Sequence, residues 1–124
     1  MPDSLIPDDV RDFIIQYIVS VAQLEALILL RANPDERWDV RAVAKRLYTD
    51  ESSIAQALSK LTQDGLLTCD GALYRYDRDD PRRLAVDRVV ATYAKQLISV
   101  TKLIHAQPDR IRQFADAFKF RKDR

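Results

Sequence analysis

The sequence predicts a mainly α-helical chain carrying one small β-hairpin, and three observations predict it. Residues 39–64, DVRAVAKRLYTDESSIAQALSKLTQD, hold two apolar stripes at helical spacing separated by a short break. After Gly65 the chain reads LLTCDGALYRY, two strand-like runs flanking Asp70-Gly71, a strong short-range hairpin signal. Between residues 86 and 104, apolar side chains recur every three or four positions.

Taken in order, Pro7-Asp8-Asp9 opens a helix over 8–19, with acidic groups at the positive end of its dipole. Val10, Phe13, Ile14, Tyr17 and Ile18 form its apolar face. Ser20-Val21-Ala22-Gln23 has the form of a capping box, so a new helix starts there and runs through Leu24, Leu27, Ile28 and Leu30 to Asn33-Pro34. It is apolar almost all round, as a helix buried at the centre of a small domain must be. Arg37-Trp38 is expected to be a short strand that pairs with the hairpin. Trp38 is expected in the core, its indole N–H meeting a local acceptor.

The next helix turns Val40, Val43, Ala44 and Leu47 one way and Arg41, Lys45 and Arg46 the other; small Ala44 allows a close crossing. Tyr48-Thr49 interrupts it, and Asp50 is placed to cap the following helix by accepting from the Ser53 N–H. Ile54, Leu58 and Leu61 are that helix's apolar stripe, and Asp64-Gly65 closes it. Asp77–Pro81 is a polar turn with Pro81 at the first position of a long helix. Within that helix Val86, Val90, Tyr93, Leu97, Val100 and Ile104 form an unbroken a/d seam, flanked by Val89, Ile98 and Leu103. From Arg82 to Ala106 it would span about 35 Å at ~1.5 Å per residue. Gln107-Pro108 stops it, and an amphipathic turn carrying Ile111, Phe114 and Phe118 follows.

Helix, turn, helix, hairpin is the winged-helix order. On AVAKRLYTDESSIAQALSKLTQDGLL and the hairpin after it, the chain resembles the MarR-like winged helix-turn-helix transcriptional regulators. The resemblance extends more loosely to the flanking helices. It implies a mainly α winged helix-turn-helix with a small β-hairpin wing and flanking N- and C-terminal dimerisation helices, working as a homodimer that binds double-stranded DNA. The chain departs from the family at the wing. Family members commonly carry a longer wing with a basic tip that reaches the minor groove, whereas this one turns through Asp70-Gly71 without a reaching arginine; Arg78, Arg82 and Arg83 would compensate in part.

A chain of 124 residues is read as one domain: an N-terminal helix over 8–19, a winged core over 20–76 and C-terminal dimerisation helices over 80–120. The single cysteine, Cys69, forms no internal disulfide, which suits a reducing cytoplasm. It is expected to be a buried hydrophobe. No membrane partner is expected, because the most apolar run, 13–30, is interrupted by Gln16, Ser20, Gln23 and Glu25.

The net charge of +1 does not by itself call for nucleic acid. Residues 1–38 are net −4, 39–76 neutral and 77–124 net +5, so the two ends can attract each other. No metal ligand set, phosphate loop or nucleophile motif occurs, and no enzyme activity or cofactor is expected. His105 is expected at the surface near a helix end, and the acidic pairs Asp8-Asp9 and Asp79-Asp80 at helix starts.

On the second motif helix, Ser52, Gln56, Ser59 and Gln63 face away from the stripe, with Ser53 and Lys60 on the shoulder. Gln pairs with adenine N6 and N7, and Ser donates or accepts. With Arg41, Lys45 and Arg75 these are the expected DNA contacts. The expected dimer contacts are Val10, Phe13, Tyr17, Val86, Val90, Tyr93, Leu97, Val100, Ile104, Phe114 and Phe118. The alternative is a protein-interaction module of the same fold without DNA binding, favoured by the neutral head and short wing.

Overall fold

The computed structural model describes residues 6–106. Helix α1 (Asp8–Tyr17) and α2 (Val21–Ala32) meet at 107°. Gln23, fully buried, fixes that angle: its Nε2 donates to the Tyr17 carbonyl at 2.8 Å and its Oε1 accepts from the Val19 N–H at 2.8 Å. Ser20 caps α2 by accepting from the Gln23 N–H at 3.1 Å. The side chain therefore reaches one residue further back than a capping box requires, and it satisfies both backbone groups that the bend exposes. Leu24, Ala26, Leu27 and Leu30 make α2 the centre of the core.

Helices α3 (Val40–Leu47) and α4 (Glu51–Gln63) form the helix-turn-helix, with α4 packed on α2 and α3. Asp39 caps α3 through the Ala42 N–H at 2.7 Å. Asp50 caps α4 by accepting from both the N–H and the hydroxyl of Ser53, each at 2.8 Å. Between them Tyr48 adopts the left-handed conformation, φ 54 and ψ 43, and is 96% exposed.

The wing is an antiparallel hairpin of β1 (Leu67–Asp70) and β2 (Leu73–Tyr76) with Asp70 opposite Leu73. The two turn residues are thus Gly71-Ala72, one place later than Asp70-Gly71. Gly71 has φ 66, and no non-glycine residue here has positive φ. Positive φ at the first turn position alone is the II′ arrangement, which asks for glycine only there. Trp38 bridges β2 through paired bonds with Tyr74, 2.8 and 2.7 Å, so the expected short strand is a single residue. Its ring is buried, but its Nε1 has no hydrogen-bond partner among the described residues; Arg46 instead lies over the ring, 6.0 Å from the centroid. Cys69 is exposed rather than buried: it shares the face of β1 with buried Leu67 but sits one pleat nearer the turn, beyond the core, where its Sγ donates to the Gly71 carbonyl at 3.2 Å.

Helix α5 (Arg83–Lys95) begins two residues after Pro81, which stays in the preceding turn. In that turn Asp80 accepts from Arg82 at 2.8 Å (N–H), 2.8 Å (Nε) and 2.6 Å (Nη2). The Arg82 guanidinium also lies over the Tyr17 ring, and a Cβ on Gly65 would meet it at 2.9 Å. Gly65, at φ 83, is held to glycine by its backbone, and a larger residue there would also displace the Arg82 guanidinium.

The expected single long helix is two. Gln96, φ −125 and ψ 50, ends α5, and α6 (Leu97–Ala106) follows. The break saves hydrophobic area: a straight rod would carry Val100 and Ile104 past the body of the domain, whereas both are fully buried in the same core as Val86 and Val89. It costs little hydrogen bonding, since Gln96 still donates to Thr92 and accepts from Val100.

Burial also reassigns most of the expected dimer seam. Val10, Phe13, Val86, Tyr93, Val100 and Ile104 lie in the chain's own core, with Tyr17 and Val90 partly buried against it. A side chain already removed from water has no area left for a second subunit. Only Leu97 of that set is exposed, at 53%; Phe114 and Phe118, with the end of the 80–120 segment, lie outside the described residues.

Candidate nucleic-acid interface

Helix α4 buries Ile54, Ala57, Leu58 and Leu61. The turn period then fixes what is left outside: Ser52, Gln56, Ser59 and Gln63 form one exposed row along its length. Among the described residues none of the four is tied to another part of the protein. Ser53 is exposed too, but its hydroxyl is engaged by Asp50. Lys60 is half-buried and bound to Asp64 at 2.5 Å, so its charge is largely neutralised in place.

Arg41 and Lys45 project from the outer face of α3 and line a cleft of about 410 Å³ with Thr49, Asp50 and Glu51 at the start of α4. Neither makes an ion pair among the described residues. Arg75 is exposed on β2 opposite Thr68. It shares a recess of about 70 Å³ with Arg37, a residue absent from the sequence-derived set. The bridge of Trp38 to Tyr74 brings Arg37 to the wing, a placement that the expected pairing of Arg37-Trp38 with the hairpin already implied.

Electrostatics hold the frame more than the face. Hydrogen bonds from Ser53 lower the Asp50 carboxyl pKa, and those from Arg82 lower that of Asp80. Arg88 of α5 binds Asp9 of α1 through Nη2 at 3.0 Å, so the oppositely charged ends attract within one subunit. Tyr93 donates to Glu25 at 3.0 Å; burial, then that carboxylate, pushes its pKa up to about 12. His105 is exposed.

Between α2, α3 and α5 lies a mostly apolar cleft of about 470 Å³, lined by Ile28, Leu29, Leu47, Val90 and Tyr93 with Arg46 at its side. Among the described residues no group of three or more His, Cys, Asp or Glu is placed to hold a metal ion. Among the same residues no single helix is long and apolar enough to cross a membrane.

No family model matches the chain, and no curated protein matches it. Among solved structures it is similar to a possible transcriptional regulator from Methanosarcina mazei Go1, at 22% identity and a TM-score of 0.50, over 73% of this chain and 81% of that one. The likeness is one of fold. It accords with the mainly helical winged-helix architecture and does not single out the MarR-like branch.

Proposed function

We propose that the protein is a winged-helix transcriptional regulator that reads the DNA major groove with α4 and acts in the cytoplasm as a homodimer. The exposed uncharged row Ser52, Gln56, Ser59, Gln63 carries this reading. A helix entering the groove needs hydrogen-bonding side chains on the side away from its core stripe, free of internal partners. Arg41, Lys45, Arg75 and Arg37 supply phosphate contacts, which position the helix without reading sequence. The similar Methanosarcina mazei Go1 protein, a possible transcriptional regulator, agrees with this role. Because the seam is used within the subunit, the dimer contact falls to what remains exposed on α5 and α6: Leu84 at 67%, Leu97 at 53% and Ile98 at 69%.

Fluorescence anisotropy with labelled genomic duplexes at low salt tests the reading. Gln56→Ala with Gln63→Ala is expected to weaken specific binding at least about 30-fold, from ~1–3 kcal/mol for each of the two bidentate base contacts. Arg41→Ala with Lys45→Ala is expected to weaken binding to all sequences and to flatten its salt dependence. Binding absent at low salt, or indifferent to both variants, contradicts it.

The second reading, a scaffold that binds another protein, is favoured by the Lys60–Asp64 pair and by the two-residue wing turn. It predicts one stoichiometric protein partner and no DNA affinity in a pull-down followed by anisotropy.

A further inference from the structure

Away from α4, a cleft of about 390 Å³ opens where the end of α2, the foot of the wing and the start of α5 meet. Arg31, Arg78 and Arg83 line it, against one acid, Asp87. Arg31 is held by Asp87 at 2.8 Å, and Arg78 by Asp35 at 3.1 Å in a pair exposed on both sides. Arg83 makes no ion pair among the described residues. Tyr76 forms part of the wall; it is 7% exposed and its hydroxyl is enclosed without a partner among the described residues. The charged groups that act most on that hydroxyl are Asp87, then Arg31. Helix α5 starts here with no side-chain cap on its first turn.

We propose that this cleft binds a small polyanion of the phosphate or carboxylate class, gripped by Arg31, Arg78 and Arg83, with Tyr76 and Asp87 completing the site. The volume lies at the small end of ligand pockets, fit for a metabolite-sized anion. Three guanidinium forks against one carboxylate favour a ligand with more than one negative charge and planar or tetrahedral oxygens. An incoming anion takes Arg31 and releases Asp87, whose carboxylate then accepts from the Tyr76 hydroxyl. Binding thereby replaces an isolated buried donor with a hydrogen bond, and it does so where the wing, α2 and α5 join. None of its lining residues belongs to α3 or α4, so it lies apart from the α4 reading face, although Arg78 and Arg83 are among the residues expected to compensate for the short wing.

Isothermal titration of the full chain with inorganic phosphate and with citrate, against chloride at matched ionic strength, tests it. Saturable one-site binding of either anion is expected, weakened at least tenfold by Arg83→Ala, an exposed change that spares the core. Tyr76→Phe is expected to weaken binding several-fold while raising the melting temperature of the ligand-free protein. Lys45→Ala is expected to leave the affinity unchanged. Heats of dilution alone, loss of binding in Lys45→Ala, or unchanged affinity in both Arg83→Ala and Tyr76→Phe overturn the proposal. Competition between the anion and a short DNA duplex also overturns it, by assigning the cleft to backbone phosphates.

Discussion

Tyr48 and the Asp80–Arg82 pair show how single residues set the geometry of the reading head. Tyr48 bears the left-handed turn between α3 and α4, a conformation that costs a residue with a Cβ about 1–2 kcal/mol. Since its ring is almost wholly in solvent, no packing offsets that cost. Tyr48→Gly is therefore expected to stabilise the protein by about 0.5–1 kcal/mol after the greater chain entropy of glycine is counted, measured by urea denaturation. Asp80 is 9% exposed and receives three bonds from Arg82, so removing the guanidinium leaves a carboxylate poorly solvated. Arg82→Ala should cost about 1–3 kcal/mol. The same pair predicts an acid limb. Its carboxyl pKa is lowered on folding, chiefly by the Arg82 bonds, so its contribution is full above the ordinary value of 3.8 and is lost as pH falls below that through the folded value. Melting temperature against pH should drop less steeply below pH 3.8 in Asp80→Asn than in the unaltered protein.

At the scale of elements, what the sequence could reveal depended on whether the deciding forces were local. The caps Ser20 and Asp50, the α1–α2 break and the stripes of α3 and α4 are set by residues three or four apart, and periodicity exposes them. The exposed row on α4 follows from the same geometry. The break at Gln96 is set by the core that Val100 and Ile104 reach only when the chain folds back, and AKQLIS holds neither glycine nor proline to announce it. The hairpin turn shifted by one residue because Gly71 fits either position of the turn, and strand register chose between them. The orphaned Nε1 of Trp38 was equally out of reach, being a matter of three-dimensional neighbours, whereas the pairing of Lys60 with Asp64, four residues apart, is local and open to the sequence. Gln23 gives a direct check on the local logic. Gln23→Ala should leave the Val19 N–H and the Tyr17 carbonyl without their partner and cost about 2 kcal/mol, read as a shift of the urea midpoint at unchanged slope.

For the whole molecule, the core uses up the apolar seam and the surface keeps three separate features: the polar row of α4 with its basic neighbours, the apolar side chains of α5 and α6, and the arginine-lined cleft. The first two belong to the proposed regulator. If Leu97 and Ile98 carry the dimer contact, Leu97→Asp with Ile98→Asp yields a monomer in sedimentation equilibrium while the melting temperature stays within a few degrees, since both side chains are already exposed in the subunit. A dimer unmoved by that change places the contact elsewhere. The reading of DNA by α4 is tested most directly by nitrogen-15 amide shift mapping of the full chain against a bound genomic duplex. The proposed function predicts the largest shifts at Ser52, Gln56, Ser59 and Gln63, flanked by smaller ones at Arg41, Lys45 and Arg75. Shifts that leave α4 untouched and gather on α5 and α6 would contradict it.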